Sequence, residues 1–188
     1  MRRPVDAADP ARHVLLGLLL DGPSHGYILA RAFAPGTALG SVVYLGASHL
    51  YALLIQLERD GFIEGERLEQ GARPARRVYR ITDPGRAEVL RWIDEPVGRP
   101  RDVLIDFPLK LYLAQRLDTS RALNLVMHQR NLFASYLKDL EHEIRQTDSA
   151  KDQSFLSLVL DGRIERTKST LAWLEHCASA LAVQPTAK

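Results

Sequence analysis

The sequence predicts a mainly α-helical protein with a small β-wing, built as an N-terminal unit of short helices and strands followed by a C-terminal unit of long helices. Three observations predict it. Apolar residues recur at helical spacing in three stretches before residue 61, two short strand-like stretches follow, and no strand pattern appears beyond the segment Pro96-Val97-Gly98-Arg99-Pro100. With 188 residues, either one large or two small cores can form.

The elements follow in order. Residues 1–10 hold two prolines and little apolar content, and residues 1–11 read as a disordered arm. From Arg12, the repeat Val14, Leu15, Leu18, Leu19 predicts a helix that Asp21-Gly22-Pro23 stops. Ser24 then reads as the N-cap of a second helix running to Phe33 and ending before Pro35-Gly36. After a Gly/Thr/Ser loop, Leu50, Leu53, Leu54 and Leu57 define a third helix over about 47–60, with Gly61 as its C-cap. Phe62-Ile63 and Val78-Tyr79-Arg80-Ile81 read as strands joined by a loop longer than a tight hairpin turn, holding Gly71 and Pro74. Thr82 or Asp83 caps the next helix, Pro84 suits its first turn, and Pro96 ends it.

The domains expected are therefore 12–95, a linker over 96–101, and a helical domain over 102–184. In the second domain a helix over about 102–116 meets Pro108, which predicts a kink or break. Asp118-Thr119-Ser120 caps a longer helix carrying Leu123, Val126, Arg130, Phe133, Leu137, Leu140 and Ile144 in alternating steps of three and four. A last helix repeats the device with Leu160, Ile164, Thr167, Leu171, Leu174, Ala178 and Leu181. Two such seams predict dimerisation, with Arg130 as an ion pair or register device inside one of them.

Composition narrows the function. At 46% hydrophobic and 26% charged residues the chain has the balance of an ordinary globular protein. A single cysteine, Cys177, excludes an internal disulfide framework and a cysteine zinc site, and fits a reducing cytoplasm. The run Val14 to Leu20 is too short to span a membrane, and no export is expected. The histidines lack metal-site spacing, so no cofactor or metal is expected, and nothing matches a nucleophile elbow, phosphate loop or paired-carboxylate site. Cys177 beside His176 reads as inert packing rather than an activated thiol.

Helix, helix, turn, helix and a two-stranded wing is the order that seats a third helix in a major groove of DNA while the wing follows the flanking backbone. With its leucines turned to the core, helix three offers Ser48, His49, Tyr51, Ala52, Ile55 and Gln56. Ser and Gln can read base edges, and Tyr and Ser can bind phosphate. Net charge does not add to this: the first 95 residues balance 12 arginines against 12 acidic residues. The wing does, since Gly71 to Arg80 holds Arg73, Arg76, Arg77 and Arg80 with no acidic residue. Such arginines suit phosphates or a minor groove, or they pair with Glu64, Glu66 and Glu69 across the hairpin.

Three ordered blocks carry a family resemblance. Val14–Leu19 with Gly22-Pro23-Ser24-His25-Gly26-Tyr27, Leu50 to Ile63, and Arg77 to Arg86 resemble the opening, the recognition helix and the second wing strand of PadR-family regulators. Leu158 to Leu174, continuing to Glu175, is similar to the helical domain of virulence activators. The resemblance implies a winged helix-turn-helix joined to an α-helical dimerisation domain, in a homodimeric regulator, usually a repressor of operator DNA relieved by a small molecule or another signal. It places DNA contact on Tyr27, Ser48, His49, Tyr51 and Tyr79, with Arg76 and Arg77 from the wing. Gln56 and Arg73 join them from the residue reading, and a two-fold dimer would set the recognition helices about 34 Å apart on a palindromic operator.

The chain departs from that pattern twice: relatives carry basic residues at Ile55 and Gln56, and the loop Ala34–Gly46 is longer. Trp92 and Trp173 are candidates to line an effector pocket, or else pack in a core. Two rivals fit the same residues: a winged-helix protein-interaction module without DNA, and a ligand-binding dimer with a vestigial wing.

Overall fold

The computed structural model describes residues 9–70, 73–146 and 153–183, and the side chains of these except 68–76, 153 and 154. The order is α1 (Pro10–Leu18), β1 (Ser24–His25), α2 (Gly26–Ala32), α3 (Ala47–Arg59), β2 (Ile63–Gln70), β3 (Arg73–Ile81), α4 (Asp83–Asp94), α5 (Val103–Leu117), α6 (Thr119–Gln146) and α7 (Gln153–Val183). The chain divides into two compact units, residues 1–95 with 104–113, and residues 96–103 with 114–188. The first ten residues of α5 after Val103 thus pack within the N-terminal unit, whereas the sequence boundary lay wholly at 96–101.

In the first unit α1 is the central rod. Val14, Leu15 and Leu16 are fully buried, and Ala11 and Leu19 nearly so. The helix starts at Pro10, earlier than Arg12, because Asp9 caps it: its carboxylate accepts from the Ala11 N–H at 3.0 Å. Gly17 allows α5 to lie close, for a Cβ there would stand 2.4 Å from Leu113 Cδ1. The predicted leucines of α3 all point inward, Leu50, Leu54 and Leu57 at 0% and Leu53 at 5% exposure. Gly61 ends the helix with φ of +75°, a conformation glycine adopts without strain. Thr82 caps α4, accepting from the Gly85 N–H at 3.2 Å while donating to the Gly61 carbonyl at 2.7 Å.

The wing differs from expectation in two ways. Its strands are eight and nine residues long and pair antiparallel from Ile63↔Ile81 to Gln70↔Arg73, so only residues 71 and 72 join them. The loop expected to hold Pro74 is strand, because Arg and Pro on an edge hairpin are compatible with pairing although they carry no apolar alternation. A third strand completes the sheet in the order β1-β3-β2: Ser24 pairs with Tyr79 and His25 with Val78. Ser24 is therefore a strand residue rather than a helix cap, and α2 begins after His25 without a side-chain cap.

In the second unit α6 and α7 pack together. Val126, Phe133 and Leu140 of the predicted dimer seam are buried within the single chain, as are Leu160, Ile164, Thr167, Leu174 and Leu181 of α7. Leu137 and Ile144 pack against the Leu140, Leu160, Ile164 cluster, and Leu123 and Leu171 are half-buried. Arg130 pairs with Glu175 of the same chain at 3.7 Å, both side chains exposed. Periodicity marked a buried face, and at its Leu140 end that face packs on the chain's own last helix. The 96–100 segment is stitched down as well. Gln129, fully buried, accepts from the Val97 N–H at 2.6 Å and donates to its carbonyl at 3.0 Å. Pro108 lies inside α5, which runs unbroken from 103 to 117.

Candidate nucleic-acid interface

The recognition helix α3 is fastened at its C-terminal end and open at its N-terminal end. Asp60, just past the helix, receives the Arg12 guanidinium from α1 at 2.7 Å, and that guanidinium lies over the Phe62 ring at 5.2 Å. Glu58 accepts Arg77 Nη2 at 2.6 and 2.7 Å through its two oxygens, and also accepts the Gly65 N–H of β2 at 3.1 Å. Charge-assisted bonds thus tie the end of the helix to α1 through Asp60 and to the wing strands through Glu58. The glycine is required: a Cβ on residue 65 would stand 2.4 Å from Arg77 Nε.

Toward its start, α3 has no acidic residue in the first turn and no side-chain cap. Ala47, Ser48, His49, Tyr51, Ala52, Ile55 and Gln56 are exposed, as the leucine spacing predicted. His49 is not free, for its Nε2 lies 3.0 Å from the second oxygen of Asp9. One carboxylate thus caps α1 and restrains a side chain of the exposed face.

Beside Tyr51 a cleft of about 410 Å³ opens, lined by His25, Gly26, Tyr27, Ile28, Tyr51, Arg77 and Tyr79. Strand β1 builds it by carrying the start of α2 to the sheet. Tyr27 is 68% exposed at its rim. Inside, His25 Nδ1 is buried with no hydrogen-bond partner.

Several predicted site residues stand elsewhere than expected. Tyr79 is 5% exposed, a core residue whose ring floors the cleft; burial pushes its phenol above the ordinary value. Alternation along β3 explains it, because Tyr79 and Ile81 share the inward face. Arg77 sits on that same face further out, where Glu58 holds it and raises its pKa. Its partner is the recognition helix rather than Glu64, Glu66 or Glu69. Arg73 and Arg76 belong to β3, but their side chains lie outside the described residues, as do residues 1–8 of the expected arm. Arg80 stands opposite Glu64 in the ladder.

Trp92 is engaged in packing: the His13 ring stacks on it at 4.8 Å with planes 3° apart, and the Lys110 ammonium lies 4.4 Å from its centroid. Lys110 donates to the Trp92 carbonyl and, at 2.8 Å, to that of Glu95, closing the end of α4. Burial lowers the Lys110 pKa to about 8, and burial likewise lowers that of His13, whose Nε2 lies 3.0 Å from Glu88. Trp173 belongs to the other unit and is half-buried. Cys177 is half-buried with its thiol pushed up by burial, which suits packing. Among the described residues no group of three metal-ligating side chains occurs, and no helix is long and apolar enough to cross a membrane.

The model of the transcriptional regulator PadR-like family matches residues 15–91, and that of the virulence activator alpha C-terminal domain matches residues 105–182. The negative transcriptional regulator PadR of Bacillus subtilis is 30% identical over 171 residues, 87% of this chain and 93% of that one. The chain belongs to the PadR family. It is a DNA-binding transcriptional regulator with a winged-helix N-terminal unit.

A probable transcriptional regulator of Mycobacterium tuberculosis is also 30% identical, over 90% of this chain and 96% of its own. Among solved structures, Bacillus subtilis PadR with operator DNA matches at 28% identity, covering 90% of this chain and 98% of that one, with a TM-score of 0.45. The same protein with p-coumaric acid matches at 26% identity over 96% and 100%, with a TM-score of 0.42.

For this PadR-family chain, sequence reasoning missed Glu58, Gly65, His25 and Asp9. Glu58 carries a readable signal, being the one acidic residue within α3. The others depend on contacts between residues distant in sequence, which no local pattern reports.

Proposed function

We propose that the chain is a homodimeric cytoplasmic repressor that binds a palindromic operator through α3 and the wing and is released by a small-molecule effector. The observation that carries the reading is the asymmetry of α3: fastened by Glu58 and Asp60 at one end, and exposed, without a side-chain cap and without an acidic residue of its own first turn at the other. A rigid helix that presents Ser48, Tyr51 and Gln56 suits base-edge and phosphate contacts. Tyr27 at the rim of the cleft adds a phosphate donor, and the wing strand β3 contributes the positive charges of Arg73 and Arg76. Arg77 acts by holding the wing base to α3.

The Bacillus relative supports the repressor and effector parts, being a negative regulator whose structures include operator DNA and p-coumaric acid. A dimer would form through outward faces of the C-terminal unit, where Met127, Leu132, Phe155, Leu158 and Val159 are exposed, since Val126, Phe133 and Leu140 are already covered.

Fluorescence anisotropy on labelled DNA from the gene's own upstream region and on a scrambled duplex, over a salt series, tests the reading. The expected result is tight, salt-sensitive preference for the native duplex, which Gln56→Ala and Tyr51→Ala weaken. Equal weak binding to both, with no site recovered by selection from random DNA, would refute it.

A further inference from the structure

The loop between α2 and α3 ends in an aromatic side chain that the fold holds out at the recognition helix. This is no loose connection. Phe33, Leu39 and Leu45 are buried at 2%, 1% and 6% exposure. The Thr37 hydroxyl donates to the carbonyls of Ala32 and Ala34, each at 2.8 Å, and accepts from the Gly40 N–H at 3.0 Å. The N–H groups of Val42 and Val43 both reach the Leu39 carbonyl at 3.0 Å. Backbone fixed on both sides thus delivers Tyr44, which is 82% exposed and the most exposed large apolar side chain of the described residues.

The direction of Tyr44 is defined. Its Cε1 and Oη both lie 3.7 Å from where a Cβ on Gly46 would stand, so the ring folds along the start of α3. Among the described residues no hydrogen bond to its hydroxyl occurs. In sequence it is flanked by the exposed polar side chains of Ser41, Ser48 and His49. A buried anchor, a fixed backbone and a projecting phenol are the arrangement by which a tyrosine supplies contact area at low entropic cost.

We infer that Tyr44 is a DNA-contacting residue: its hydroxyl donates to a backbone phosphate flanking the bases under α3, and its ring packs on the adjoining deoxyribose. The inference rests on the DNA-binding reading and adds to it a residue outside both helix and wing. A neutral phenol that binds phosphate positions the protein without reading sequence, and it replaces no counterion. Its loss therefore has a signature distinct from that of an arginine.

The test uses the full chain with Tyr44→Phe and Tyr44→Ala, each checked for unchanged thermal unfolding, on the upstream duplex and on a scrambled one. Tyr44→Phe should weaken binding to both duplexes by a similar factor, about three- to tenfold, with the salt slope unaltered. Tyr44→Ala should weaken it at least as much, and either duplex should protect Tyr44 of the wild-type protein from nitration by tetranitromethane. If both variants bind within twofold of wild type and Tyr44 nitrates equally with DNA bound, the assignment is wrong although the DNA-binding reading stands. If wild-type protein binds neither duplex, the reading and the assignment fall together.

Discussion

Removing Arg77 weakens DNA binding on either of two accounts, and the Glu58 pair separates them. One guanidinium nitrogen of Arg77 meets both carboxylate oxygens of Glu58, at 2.6 and 2.7 Å, with side chains 51% and 29% exposed. In such solvent the pair contributes about 0.5–1 kcal/mol to folding, so neither single substitution should unfold the unit. For DNA the effect is larger in kind, because Arg77→Ala changes the local charge from zero to minus one beside the recognition helix. A lone carboxylate a few ångströms from a phosphate costs about 1 kcal/mol in high dielectric, or roughly fivefold in affinity. Glu58→Gln should instead strengthen binding severalfold, by leaving a free guanidinium.

The double variant Glu58→Gln with Arg77→Ala decides the matter. If Arg77 serves to neutralise Glu58, the double variant binds within about twofold of wild type, because the opposing carboxylate has gone together with the guanidinium and the two single effects cancel. Its salt slope should match wild type, since no phosphate contact has gone. Anisotropy titrations at four salt concentrations measure both quantities. A double variant as weak as Arg77→Ala, with the slope reduced by about one, would show that Arg77 touches phosphate itself and refute the strut assignment.

Three further outcomes follow from the same structure. Asp9→Asn keeps a good helix cap but removes the carboxylate beside His49, so DNA affinity should rise about two- to fourfold at low salt; an unchanged or lower affinity at equal stability counts against that contact opposing DNA. Gly17→Ala places a methyl against the buried Leu113, and the melting temperature should fall by the equivalent of about 1–3 kcal/mol, whereas a rise would mean that α1 and α5 are not in close approach. Lys110 has a folded pKa of about 8 against 10.5 unfolded. Between those values the unfolded chain binds more protons, so stability rises with pH across that window by up to about 3 kcal/mol and is lost again as pH falls to 8. Chemical unfolding at pH 8 and 10 should show this rise in wild type and not in Lys110→Met.

How much of this was legible in the sequence depends on what each signal reports. Leu50, Leu53, Leu54 and Leu57 named the inner face of α3 and so its outer one, because helical spacing fixes both together. Thr82 and Gly61 marked their helix ends through local backbone chemistry. By contrast β1 is two residues long, and no alternation can be read from two residues. The Val126, Phe133, Leu140 spacing marks a buried face but not what buries it, and in the single chain Leu140 packs against Leu160 and Ile164 of α7. Arg77 stands out through its basic neighbours, whereas its ion-pair partner Glu58 lies nineteen positions away in the chain. The described part of the wing is longer than its apolar content suggested, since strands on an edge need few core contacts.

The short strand β1 also bears on how the protein folds. Ser24 meets Tyr79 across 55 positions of chain, among the last pairings that a growing or refolding polypeptide can make. Closing a loop of that length costs about 1.5 kcal/mol more in chain entropy than closing one of ten residues. Topology of this kind slows folding, and it places the joining of β1 after the hairpin itself. The cleft lined by Tyr27, Tyr51 and Tyr79 is complete only once β3 is in place. A nascent chain that has emitted its first three helices still lacks β3, and with it the Arg77 and Tyr79 side chains that line the cleft beside α3.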